Sequence, residues 1–307
     1  MPKENTHLFF AHKIARNLAN QNLKEIIKRN LRFFYFGSVV PDTFYYGKGE
    51  KIRKISESLH GRYGNLTNEI VFELLDQAKK QKNELDLVFT LGYLTHCALD
   101  ITFHPIVYYL SGNYYDADPE KANEAIYLHR HLETYLDSRV NHKYFYNDLI
   151  NYKTLRKLAF SKIISTKFNI SIKEQEKTLI RKSILLKALK YDFILNLLYL
   201  FYRPSLSKYK MFLGIFYGNL KRDSRIFPDT VKYRDIITGE NLITNIQDLF
   251  KKSEEFSLRL IDAAYRYYNG EMSREQAKQI IRGESLNTGR LNAPVTEIKY
   301  FYNSLTK

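Results

Sequence analysis

Residues 90–105 read TLGYLTHCALDITFHP, an apolar run broken at every fourth position by His96, Asp100 and His104. On an α-helix four residues advance about 400°, so these three side chains form one slowly drifting stripe. A segment this apolar belongs inside a fold, and polar groups taken out of water need partners there. Imidazole and carboxylate are nitrogen and oxygen ligands of zinc, so a metal is one such partner. On this stretch alone, a helix with two satisfied histidines and an acidic cap is an equally good reading. Pro105 disfavours helical dihedrals at the residue before it, which predicts that the helix ends at His104.

A second stripe tips the balance. In HRHLETYLD (129–137), His129, Glu133 and Asp137 again recur every four residues. His131 sits about 200° round from His129 and is expected to face solvent. Two His-carboxylate stripes on neighbouring helices can converge between them, as bundle metal sites do, and the metal reading is favoured. An ordinary solvated face is the plainer account of Glu133 and Asp137. Earlier in the chain lie His7, Asp42 and His60, each unremarkable alone because loop His and Asp are usually exposed. His12 points about 140° from His7 and is not expected to share a site with it. His142 is read as a surface residue, and Cys97, about 100° off the His96 face, as packed core.

The rest of the chain reads as helical. A first helix is expected within 8–31, then a loop-like aromatic stretch at 33–65 that should pack on the core, and a helix near 67–81. Asp118 and Pro119 look like an N-cap and first helical position, opening a helix to about 141. Helical patterns follow near 153–165, 173–202, 208–220 and 245–269, with Gly270 as terminator of the last, and Ser273 with Gln276 offers a capping box. Strand-like alternation is scarce, so the fold class is all-α. We read residues 1–145 as the metal-site core and 146–307 as a basic half packed on it as one continuous domain.

Charge is uneven: the net +15 divides as +2 over residues 1–145 and +13 over 146–307. Such a half could face phospholipid or nucleic acid, though a solvated basic surface explains it at least as well. FILNLLYLFY (193–202) is about half the ~20 residues a span requires, so it is read as a buried helix segment, with a membrane-surface helix as the lesser reading. MPKENTHLFF has no apolar run suited to a signal peptide, and one cysteine excludes an intrachain disulfide. A cytoplasmic protein without a transmembrane segment is expected.

The ordered set TH (6–7), GSVVPDTFYY (37–46), LHG (59–61), GYLTHCALDITFHP (92–105) and HRHLETYLD (129–137) resembles the zinc-dependent phospholipase C family, in particular its bacterial members without a signal peptide. SLNTGRL (285–291) is more faintly similar to the family's closing segment. The resemblance implies an all-α multi-helix bundle holding two or three zinc ions, with His7, Asp42, His60, His96, Asp100, His104, His129 and Glu133 as ligands. It further implies that Asp100 bridges two metals, that Asp42 orients or activates the attacking water, and that Asp137 holds a ligand imidazole in its tautomer. Two features depart from the family. The secreted enzymes use the amino group of a processed N-terminal Trp as a ligand, and this chain has no Trp. The interval from Asp100 to His104 is also shorter than theirs.

Helix geometry accommodates such a cluster. His96 and His104 would stand about 12 Å apart along the axis, too far for one ion, with Asp100 between them able to touch two. Two metals about 3.5–4 Å apart suit in-line displacement at phosphorus. The expected function is hydrolysis of a phosphate ester, foremost a phospholipid cleaved in the phospholipase C manner, with Phe44, Tyr45 and Tyr46 as either cleft wall or core. Contact with a membrane surface is possible chemistry for the basic half. The alternatives are a nuclease or nucleotide hydrolase using the same zinc cluster, as fungal zinc nucleases do, or a non-catalytic zinc protein. No basic-aromatic recognition motif supports the first, and structural sites favour Cys over the carboxylates found here.

Overall fold

A computed structural model describes residues 3–140, 146–202 and 206–302. The first half comprises α1 (Glu4–Asn17), α2 (Gln21–Arg29), α3 (Leu31–Val39), a 3-10 turn at Pro41–Tyr46, α4 (Glu50–Leu59), α5 (Asn68–Gln81), α6 (Glu84–Ser111) and α7 (Pro119–Val140). Then come α8 (Tyr146–Leu149), a 3-10 turn at Tyr152–Lys157, α9 (Ala159–Phe168), α10 (Ile172–Ala188), α11 (Asp192–Tyr202), α12 (Leu206–Leu213) and a 3-10 turn at Tyr217–Lys221. An antiparallel hairpin, β1 (Thr230–Arg234) and β2 (Asn241–Asn245), pairs Thr230 with Asn245. Helices α13 (Ile246–Asn269) and α14 (Arg274–Ile280) precede a closing segment whose one regular element among the described residues is a 3-10 turn at Val295–Glu297. The fold is all-α, and the hairpin is its one sheet among the described residues. No described helix is long and apolar enough to cross a membrane.

Helix α6 is the axis of the bundle. It is buried almost throughout and packs against α1, α3, α5, α7 and α13. The α3 contact is the tightest, because a glycine on each helix lets the backbones meet. A Cβ on Gly37 would lie 2.0 Å from the Phe89 carbonyl oxygen, and one on Gly92 would lie 2.0 Å from that of Phe34. This close approach sets Ser38 against His96 of the next helix. Gly92→Ala is therefore expected to force α3 and α6 apart and cost about 1–3 kcal/mol, as overpacking does, read as a lowered urea midpoint.

Several expectations change. The 33–65 stretch is largely helical, since burial of Phe34, Tyr35 and Phe36 overrides the glycine-rich composition and Gly37 serves packing instead of breaking the helix. The first helix divides in two where Asn20 caps α2, its side chain accepting from the Leu23 amide at 3.0 Å. The pattern at 173–202 likewise breaks between Ala188 and Asp192. Helix α6 does not stop at His104 but continues through Pro105 to Ser111. Pro105 deprives the Ile101 carbonyl of its helical donor, and the closing segment covers that spot: a Cβ on Gly289, whose φ is +68°, would lie 2.9 Å from it. Packing on both flanks carries the helix past the proline.

The 193–202 stretch is buried on one face only: Leu195 lies in the core with Ile194 and Leu198 packed on it, but α11 leaves Phe193, Leu200 and Phe201 exposed. His131 does not face solvent. It is buried, stacked on Tyr127, with Nε2 2.9 Å from the Arg225 carbonyl oxygen. Cys97 is buried in the core. Gly270 ends α13 at φ +81°, and Ser273 and Gln276 form both bonds of a capping box. His142 lies outside the described residues.

Candidate metal centre

Five elements deliver the eight residues. Helix α1 carries His7, the turn after α3 carries Asp42, His60 caps α4, α6 supplies His96, Asp100 and His104, and α7 supplies His129 and Glu133. All eight are buried, and they gather as three groups: His7 with His96 and Asp100, Asp42 with His60 and His96, and His104 with His129 and Glu133.

Asp100 is the hub. Its Oδ1 lies 3.3 Å from His7 Nε2, and its Oδ2 lies 3.0 Å from His96 Nε2, 3.5 Å from His60 Nε2 and 3.9 Å from His104 Nδ1. Asp42 Oδ1 is 3.2 Å from His60 Nε2 and 3.8 Å from His96 Nε2. His129 Nε2 is 2.9 Å from Glu133 Oε1, which lies 3.8 Å from His104 Nε2. Ligands about 2.0–2.2 Å from one ion stand about 3–4 Å from each other, and these spacings match that range.

The outer nitrogens show why the rings point inward. His60 Nδ1 donates to the Ser56 carbonyl at 2.6 Å, His96 Nδ1 to that of Ser38 at 3.0 Å and His104 Nδ1 to that of Leu286 at 2.6 Å. A proton held on Nδ1 leaves Nε2 as a lone pair directed at the centre. His60 Nε2 and His96 Nε2 then face each other at 3.4 Å, two acceptors that repel unless a cation lies near both. Both ring nitrogens of His7, Asp42 Oδ1, both Asp100 oxygens and His104 Nε2 are buried without a hydrogen bond among the described residues. Such atoms are costly to bury unless paired, and metal coordination would satisfy all of them but the second His7 nitrogen. The residues fit zinc.

Charge follows the same geometry. Burial would raise the Asp42 carboxyl, but His96, His60 and Lys182 outweigh it and hold it at about 2. Asp100 is likewise held well below the carboxylate range by its surrounding histidines, against the effect of burial. Burial pushes His104 down to about 3 and lowers His7 and His129. His60 moves the other way, to about 9, because the negative Asp100 and Asp42 carboxylates beside it overcome its burial.

The surroundings hold what spacing could not reveal. Asp137 reaches no ligand imidazole. It accepts from the Thr6 amide at 2.6 Å, the Thr6 hydroxyl at 2.8 Å and Asn5 Nδ2 at 3.0 Å, and Tyr217 also donates to it. It therefore pins the first turn of α1, next to His7. Asp137→Ala is expected to strand these buried donors, cost at least about 2 kcal/mol and weaken metal binding at the His7 group roughly 10–100-fold, read by competition with a chelating dye. Lys182, wholly buried on α10, donates to the Val39 carbonyl at 2.9 Å and lies 3.4 Å from Glu4, joining the strands of chain that lead to Asp42 and His7. The closing segment holds His60 from outside: its carbonyl accepts from the Leu286 amide at 2.9 Å and from Asn287 Nδ2 at 3.1 Å.

Of the aromatic loop only Tyr45 borders the centre, its ring 5.4 Å from that of His60. Phe44 is buried against Phe160, and Tyr46 donates to Glu4, so both are packing residues. The wall is completed by residues not singled out above: Tyr108 and Tyr114 stand 4.7 and 5.3 Å from the His129 ring, with Tyr115 beside them.

No curated protein and no solved structure matches the chain. A family model described as zinc dependent phospholipase C matches residues 6–184, which takes in all eight residues of the centre and Lys182 but not the closing segment. That match covers more than half of the 307 residues, and with the His- and Asp-lined centre it establishes that the chain belongs to the zinc-dependent phospholipase C family.

Proposed function

We propose that this protein hydrolyses a phosphate ester, foremost a phospholipid between its glycerol and phosphate, at a centre holding two or three zinc ions. The supporting observation is the convergence, with His60 and His96, of Asp42, Asp100, His7 and His104, whose inward atoms lack hydrogen bonds among the described residues. A carboxylate-rich ligand set favours a catalytic over a closed structural site. Zinc held there would supply Lewis-acid charge to the phosphoryl oxygens and acidify an attacking water.

The chain's own residues do the rest. Asp100 stands between the histidines of different groups and serves as the shared ligand. Asp42 accepts a hydrogen bond from the attacking water and orients it toward phosphorus. His104, His129 and Glu133 form the third group, beside the tyrosine wall where the headgroup would enter. Phosphatidylcholine, para-nitrophenyl phosphate esters and single-stranded DNA, offered in parallel to protein whose metal content is known, sort the reaction classes. Release of diacylglycerol is expected. Turnover of DNA alone would move the assignment to a nuclease, and fewer than one metal per chain with no turnover would end it.

A further inference from the structure

Helix α11 is apolar on two faces. At about 100° per residue, Asp192, Asn196 and Tyr199 fall within a narrow arc, while Phe193, Leu197, Leu200 and Phe201 occupy another about 100° wide. One face packs on the protein: Leu195 is buried, Ile194, Leu198 and Tyr199 pack against the core, and Tyr199 donates to Asn219 at 2.9 Å. At its exposed edge Lys221 donates to Asp192 at 2.9 Å and Arg222 to Asn196. The second apolar face turns outward, with Phe193, Leu200 and Phe201 exposed at 69, 70 and 71%, and Tyr191, just before the helix, is 62% exposed. Three large apolar side chains exposed together on one helix face are built to meet an apolar phase.

The charge around it selects which one. Residues 177–222 contain ten Lys and Arg but a single acidic residue, Asp192, and Lys187, Lys190, Lys221 and Arg222 among them are exposed. A face of Phe and Leu flanked by cations, on a helix only about 16 Å long, suits lying in a lipid headgroup layer and not crossing it. We infer that the outer face of α11, with Tyr191, docks the protein on a phospholipid surface bearing anionic lipid. The choice of a lipid partner rests on the phospholipid reading of the centre, whereas the docking face stands apart from the metal ligands.

Sedimentation of the metal-loaded protein with vesicles tests this, using phosphatidylcholine alone and phosphatidylcholine mixed with phosphatidylglycerol. Lipid extracted afterwards scores cleavage separately, so loss of docking and loss of hydrolysis are told apart. Binding is expected to be stronger to the mixed vesicles and to weaken with added salt. The F193S/L200S/F201S variant should bind about tenfold or more weakly, with its melting temperature and its turnover of a water-soluble ester unchanged. Absence of wild-type binding, or unchanged binding by the variant, overturns the inference. So does a wild-type dimer that the substitutions dissociate, because the face would then belong to a second copy. Misfolding of both the triple variant and L200S would show that these side chains serve the core, which also overturns it.

Discussion

Asp100→Asn is expected to abolish turnover while leaving the fold intact. Its two oxygens are buried, accept no hydrogen bond, and lie within 3.0–3.9 Å of ring nitrogens of His7, His60, His96 and His104. Asn keeps the shape but loses the charge and turns one oxygen into an NH₂ group, whose nitrogen offers no lone pair to a metal. Outer residues that only orient a ligand cost about 10–100-fold when removed, so a ligand shared between groups should cost at least about a thousandfold in kcat/KM. Metal analysis of the variant should show at least one ion fewer per chain than the wild type. Retained turnover with full metal content would refute the shared role.

How far the sequence could be read depended on whether partners lay close along the chain. His96, Asp100 and His104, and His129 with Glu133, are spaced by helix geometry itself, so their side chains had to share faces and the stripes were visible. That same four-residue rule misled at Asp137. Its stripe position was right, but its partners Thr6 and Tyr217 lie 131 and 80 residues away, and no periodicity encodes that. Pro105 was read by a local rule, whereas the turn that covers the Ile101 carbonyl, around Gly289, lies 184 residues beyond the proline. Residue 182 was one lysine among many until burial showed it lying between Val39 and Glu4. The apolar run at 193–202 was assigned to the core because greasy residues usually lie there. Only the structure shows that α11 packs Leu195 and Leu198 on the core and presents Phe193, Leu200 and Phe201 on its other side.

Removing metal is expected to have the largest effect on stability. A ligand that binds only the folded state contributes about 4 kcal/mol per site at a thousandfold excess over its Kd, so stripping two or more ions should lower the melting temperature by well over 10 °C at about 2–4 °C per kcal/mol. The unbound centre must instead satisfy itself with protons. His60, at about 9 in the metal-free fold, is then charged at pH 7 beside the Asp100 and Asp42 carboxylates. Its pKa is raised above the ordinary imidazole value, so that stabilisation is complete below about pH 6.5 and is lost as pH rises through about 9. Zinc must displace this proton, so uptake at pH 7 should release about one proton at His60, and apparent affinity should climb with pH until about 9. Calorimetric titration of the stripped protein in buffers of different ionisation enthalpy counts that proton. The stability gap between metal-loaded and stripped protein should also widen from pH 7 to 9, because the stripped form alone loses the His60 charge; a gap that narrows, or uptake without proton release, would mean His60 does not face the metal.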